Sequence, residues 1–229
     1  MNFSTSTSKR VTLFAGHYGS GKTNVALNFA RALKADGTAV AIADLDIVNP
    51  YFRTQDSDAE LAAEGIGLVV SQYANSNVDL PALPKEIYAL VADRGTKVVM
   101  DIGGDDRGAL ALGRYVPDLR AENDFDFLAV VNASRPLTQT VADTVEVLRE
   151  IEAACSLRFT GVVNNTNLGP DTTAAKVIDS AAYADGVAAA LGTEVKFTCA
   201  PLALADELAG RVPNLFPLRI QRLYYHLDA

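Results

Sequence analysis

Apolar residues come in short blocks along the chain, and these alternate with longer stretches in which they recur at helical spacing. Residues 11–15, VTLFA, form an apolar run that ends in a glycine-rich turn, and from Thr23 a helical period runs until Gly37 stops it. The pattern then predicts a buried strand over 38–46, closed by the turn chemistry of Asn49 and Pro50. A less regular stretch over 51–83 contains one helix followed by a short strand, EGIGLVVS, and Pro81 and Pro84 break it off. Regular alternation returns with a helix over 86–95, a strand over 96–104, a helix over 109–119, a strand over 126–132 and a helix over 138–154. It continues with a strand over 158–165, a helix over 174–191 and a strand over 194–200. Strands apolar on both faces and separated by helices predict a parallel sheet covered on both sides by right-handed crossovers. The expected fold is therefore α/β in three layers, helix over mainly parallel sheet over helix, formed as one domain over 1–229 with residues 1–9 flexible.

Composition narrows the partners. The 229 residues carry a formal charge of −8, which argues against general affinity for nucleic acid or an anionic membrane surface. The two cysteines, Cys155 and Cys199, lie far apart, so neither a metal nest nor a disulfide framework is indicated, and a reducing cytoplasm fits best. The opening MNFSTSTSKR is polar and reads as no secretory signal, and no apolar run is long enough to insert in a bilayer. The last stretch, RVPNLFPLRIQRLYYHLDA, sets Arg211, Arg219 and Arg222 beside Leu223, Tyr224 and Tyr225. Pro213 and Pro217 interrupt it, and its apolar residues suffice to dock a final helix on the core rather than to grip a membrane.

Chemistry concentrates at the carboxyl ends of the predicted strands. Gly16-His17-Tyr18-Gly19-Ser20-Gly21-Lys22-Thr23 matches G-x-x-x-x-G-K-[ST] at every fixed position and lies between a strand and a helix, as phosphate binding requires. Its glycines let backbone N–H groups turn toward phosphates, and the helix start around Asn24 adds a positive dipole end. Lys22 reaches the β- and γ-phosphates while the Thr23 hydroxyl can ligate Mg²⁺. Asp101, followed by Ile102-Gly103-Gly104, has the form of a Walker B carboxylate next to a glycine switch. Asp44 and Asp46 end the second strand, where a carboxylate can orient an attacking water or hold a metal-bound one.

These residues, in this order, resemble the MinD/ParA-like P-loop ATPases, within the wider class that includes nitrogenase iron protein, dethiobiotin synthetase and the signal-recognition GTPases. The resemblance spans most of the chain and implies the P-loop nucleoside triphosphate hydrolase fold. It assigns water activation to Asp46, a switch and metal role to Asp44, and base recognition to Asn165, with Asn164 as the neighbouring option. A further base contact is implied in Ala200-Pro201-Leu202. The chain departs from the family where a lysine usually follows the first glycine: His17 stands there, followed by Tyr18. Arg53 follows the switch segment closely enough to act as an arginine finger.

A guanine reader of the N-K-x-D kind needs a lysine and an aspartate that Asn164-Asn165-Thr166-Asn167 lacks, which favours ATP. The expected activity is Mg-dependent ATP hydrolysis used as a switch read by a protein partner or a second copy of the chain. The alternatives are an ATP-dependent enzyme that activates a substrate carboxylate, of the dethiobiotin synthetase or cobyrinate amidation type, and a metal-centre maturation ATPase. The irregular region 69–85 is expected to form the partner or substrate surface.

Overall fold

The computed structural model describes residues 3–46, 58–70, 85–104 and 106–220. Its strands are β1 (Val11–Ala15), β2 (Val40–Leu45), β3 (Gly67–Val70), β4 (Lys97–Ile102), β5 (Phe125–Val131), β6 (Gly161–Asn164), β7 (Val195–Pro201) and β8 (Leu215–Leu218). The helices are α1 (Lys22–Ala35), α2 (Asp58–Ala63), α3 (Lys85–Ala92), α4 (Asp106–Gly113), α5 (Val116–Glu122), α6 (Val141–Cys155), α7 (Ala174–Asp179), α8 (Ala181–Leu191) and α9 (Ala205–Leu208). All described strand pairs are parallel, in the order β3-β2-β4-β1-β5-β6-β7-β8. Every strand therefore ends at the same edge. After β1 the chain crosses over β4 to build β2, and after β4 it crosses to the opposite side to build β5, so the order of strands turns around at β1, where an open parallel sheet forms its ligand crevice.

Both faces of the sheet are apolar, as the unbroken apolar runs predict. One face packs Ile87, Leu112, Leu119, Leu148, Ile151 and Val187 from α3, α4, α5, α6 and α8. The other receives α1, whose Val25, Phe29 and Leu33 are buried against Phe14, Ile42 and Val99. Phe3 joins this second core with its ring centre 4.4 Å from Phe197 and 5.8 Å from Phe216. Residues 3–9, expected as a flexible lead, are thus packed: Ser4 caps a short 3-10 turn and the Lys97 ammonium donates to the Ser8 carbonyl at 2.8 Å. Among the described residues no helix is long and apolar enough to cross a membrane.

Three local departures from the sequence pattern have physical causes. The helix expected over 109–119 is two helices, because Pro117 is tolerated only in a first turn and so begins α5 afresh. The helix expected over 174–191 divides at Ser180, whose hydroxyl donates to the Val177 carbonyl at 2.7 Å and accepts from Asn164 at 2.8 Å. Leu215–Leu218, in the stretch expected to end in a docked helix, form edge strand β8. Pro217 lacks the donor a central strand needs, but on an edge that donor would face outward and costs nothing. Residues 221–229, with Arg222, Leu223, Tyr224 and Tyr225, lie outside the described residues, as do Arg53 and positions 71–84 of the expected partner surface.

At the opposite edge of the sheet from the strand ends, Arg10 and Glu122 form a buried ion pair in which the guanidinium Nε and Nη2 donate to the two carboxylate oxygens. Arg10 also donates to the Asp93 carbonyl at 2.9 Å, and Arg94 approaches Glu122 at 2.8 Å. The hydrogen bond from Arg10 is the main cause that holds the Glu122 carboxyl below its ordinary range, against the opposing effect of burial. A depressed folded-state pKa means that this stabilisation is complete above the unfolded value of about 4.3 and is lost as pH falls through the folded one. Glu122→Gln, which leaves Arg10 buried beside a neutral amide, is expected to cost about 3 kcal/mol at pH 7. In urea melts, the variant is also expected to lose less additional stability than the wild type between about pH 4.5 and pH 2. Equal stability at pH 7 would show that the pair contributes nothing net.

Candidate functional site

The loop 16–21 leaves β1 and enters α1 through Gly21, whose positive φ of 89° supplies no side-chain cap. Helices α6 and α7, by contrast, begin on Thr140 and Thr173, whose hydroxyls accept from the backbone N–H groups of Asp143 and Lys176. The first turn of α1 thus presents backbone donors without a capping side chain, in the arrangement that receives a phosphate. At Gly16, with φ of 151°, a β-carbon would strike the Val130 carbonyl, so the loop can pass β5 only as glycine. At Gly104 a β-carbon would stand 2.8 Å from the Tyr18 nitrogen and 3.0 Å from Lys22 Nζ. The segment after β4 therefore lies directly against the loop and its lysine.

The parallel register sets Asp44 of β2 beside Asp101 of β4, and Phe14 of β1 on the other side of Asp101. The Thr23 hydroxyl donates to Asp101 Oδ2 at 2.6 Å, while Asp101 Oδ1 is buried with no hydrogen-bond partner among the described residues. Asp44 Oδ1 accepts from the Asp46 backbone N–H at 2.9 Å, which turns Asp46 out of the strand toward the loop. Burial, then the charge of Asp44, pushes the Asp101 carboxyl up to about 8, with Lys22 and the Thr23 hydroxyl pulling the other way. A cation placed here would reverse that balance. The residues fit Mg²⁺, which binds through one or two carboxylates and a hydroxyl while keeping phosphate oxygens and water as its remaining ligands. Thr23 and Asp101, with its open Oδ1, would hold it from below, with Asp44 alongside.

A cavity of about 360 Å³ opens above this layer. Tyr18, Gly19, Gly21, Lys22, Thr23, Asn24, Asp46, Asn165 and Pro201 line it, so the structure gathers most of the expected residues round one space. His17 and Ser20 are not among its lining; they bound a small recess behind the loop with Asn132 and Thr144, and His17 Nδ1 contacts the Tyr18 carbonyl at 2.8 Å. Of the two asparagines left open by sequence, Asn164 is fully buried against Ser180, while Asn165 reaches the cavity and donates to the Ser20 carbonyl at 2.7 Å. Sequence reasoning did not mark Arg135, Asn167, Leu218 or Ile220, which also line the cavity. The available signal was positional: each stands just past, or at the end of, a strand's carboxyl end.

The model of the CobQ/CobB/MinD/ParA nucleotide binding domain matches residues 11–216. The chain belongs to this family. As a CobQ/CobB/MinD/ParA domain it carries the P-loop nucleotide-binding fold, which its solved structural neighbours share. Signal recognition particle 54 kDa protein from Aeropyrum pernix K1, solved with GDP, superimposes with a TM-score of 0.53 at 18% identity over 84% of this chain and 42% of that one. FtsY from Mycoplasma mycoides gives 0.55 at 15% identity over 86% of this chain and 61% of that one. FtsY from Elizabethkingia anophelis with GDP gives 0.52 at 18% identity over 82% and 56%. The chain thus spans about half the length of these neighbours. No curated protein matches it.

In this family member, the raised carboxyl of Asp101 marks a local conflict between stability and binding. A buried acid kept protonated well above its unfolded pKa costs folding free energy, and the cost grows as pH rises from about 4 toward the folded value. Asp101→Asn keeps an acceptor for Thr23 and removes the charge. The ligand-free variant is expected to melt about 2–8 °C higher at pH 7.5 and to lose Mg²⁺-dependent nucleotide binding. Calorimetric scans with and without Mg-nucleotide check both; a lower melting temperature without ligand would show that the carboxylate is stabilising where it lies.

Proposed function

We propose that this domain binds ATP with Mg²⁺ and hydrolyses it as a nucleotide-driven switch. The observation that supports this reading best is the single cavity on which Lys22, Thr23 and Asp46 converge above Asp101. In the reading, Lys22 and the backbone N–H groups of the loop and of the first turn of α1 bind the β- and γ-phosphates, and the ion neutralises the charge that develops on them. Asp46, displaced from the strand by its bond to Asp44, accepts a proton from the attacking water. Gly104, packed on the loop beside Lys22, and Gly103 before it move with the presence of the γ-phosphate, and a partner or a second copy of the chain reads that change.

Adenine is favoured over guanine by the state of Asn167, which occupies the place of a guanine reader's carboxylate. Its Nδ2 donates to the Asn165 carbonyl at 2.6 Å and its Oδ1 accepts from the Gly169 N–H at 3.1 Å, so both ends serve the loop's own backbone. His17 supports a second reading. Without a lysine at that position to reach across a dimer, the domain resembles those relatives that spend ATP on activating a substrate carboxylate.

Phosphate release from ATP and GTP with Mg²⁺ tests the proposal, with sedimentation of each nucleotide state alongside. Turnover should prefer ATP, fall at least about 100-fold in Asp46→Ala, and accompany ATP-dependent association. Preference for GTP would overturn the adenine assignment. A monomer that binds ATP and barely turns it over would overturn the switch in favour of the carboxylate-activating reading.

A further inference from the structure

Arg135 lies outside every role discussed so far, although it lines the cavity. It sits on the loop that follows β5, and its Nε donates to the Gly19 carbonyl at 2.8 Å. A β-carbon on Gly19 would meet Arg135 Nε at 3.7 Å and Cδ at 3.8 Å, so the arginine lies across the phosphate loop at a position where only hydrogen is present. Its loop is tied to the one bearing Asn165. Asn132 Oδ1 accepts from the N–H groups of Ser134 at 2.9 Å and Asn167 at 3.3 Å, and the Ala133 N–H donates to Thr166 Oγ1 at 3.1 Å. These bonds hold Arg135 between the phosphate loop and the loop that bears Asn165.

Another part of the lining has a different character. Leu218 belongs to the core on the α1 face of the sheet, and Arg219 exchanges two backbone hydrogen bonds with the Asn28 carboxamide of α1, at 2.8 and 3.0 Å. Leu218 and Ile220 thus enter the cavity from the α1 side together with Pro201, while Arg135 enters from the loop that leads to α6 on the other face. The lining therefore combines aliphatic side chains with a planar cation. A flat, electron-rich ring matches both: its faces take apolar contact and cation–π attraction without any demand on its hydrogen-bonding edge.

We propose that Arg135 stacks on the purine of the bound nucleotide, pressing it against Pro201, Leu218 and Ile220, with the Gly19 carbonyl orienting the guanidinium plane. The assignment rests on the reading of the cavity as a nucleotide site. It makes Arg135 a determinant of affinity for the base and leaves the choice between adenine and guanine to the edge contacts, because both purines present the same face.

Isothermal titration of the full chain with ATP and with tripolyphosphate, each with Mg²⁺, separates the two readings. Arg135→Ala is expected to bind ATP about tenfold more weakly than wild type and tripolyphosphate equally well. Arg135→Lys, which keeps a charge and a donor for Gly19 but no plane, should fall between the two for ATP. The side chain is exposed, so the unfolding temperature without ligand should not change. Equal weakening toward ATP and tripolyphosphate would assign Arg135 to the phosphates or to the shape of the loop, and unchanged ATP affinity would remove it from the site; either overturns the stacking role. Wild type that binds tripolyphosphate as tightly as ATP overturns the purine reading of the cavity itself, whatever the variants do.

Discussion

The in-register pairing of β4 between β1 and β2 is the constraint on which the rest of the site depends. Parallel hydrogen bonding places Asp101 level with Asp44 on one side and Phe14 on the other, one residue before the chain leaves β1 for the phosphate loop. A slip of one residue would turn the Asp101 side chain to the opposite face and break its bond with Thr23. The apolar residues of three buried strands oppose such a slip together. A costly arrangement, two carboxylates side by side in a dry interior, is thereby held in place by hydrophobic packing that has no chemistry of its own.

Glycine acts at the same edge by permitting close approach. The loop can pass β5 because Gly16 has no side chain to strike Val130, and the segment after β4 rests on the loop because Gly104 has none to strike Lys22. Loop, lysine and the segment after β4 are consequently in close contact.

Around the cavity, the loops are positioned by carboxamides. Asn132, Asn165 and Asn167 each hydrogen-bond backbone groups of nearby loops, which links the loops after β5 and β6 and the phosphate loop. Asn165 and Asn167 thus brace the loops while they also line the cavity, and Arg135 and Ile220, which belong to no motif, line it with them.

Much of this was legible in the chain itself, because the determinants are local. Alternating apolar blocks specify strands and helices by their periods, and the phosphate loop with its strand-end aspartates is a contiguous signal, so the three layers, the parallel sheet and the place of Lys22, Thr23, Asp46 and Asp101 could be read directly. What only the tertiary structure decided depends on neighbours distant in sequence. LFPL becomes a strand because it falls on an edge, where Pro217 needs no partner, and a helix reads as two where Ser180 bonds Asn164 of another element. Asn165 and not Asn164 reaches the cavity, because successive residues at the end of a strand point to opposite faces. Arg135 is an unremarked surface residue in sequence, and it joins the site because β5 lies next to β1 in the strand order, which sets its loop against Gly19.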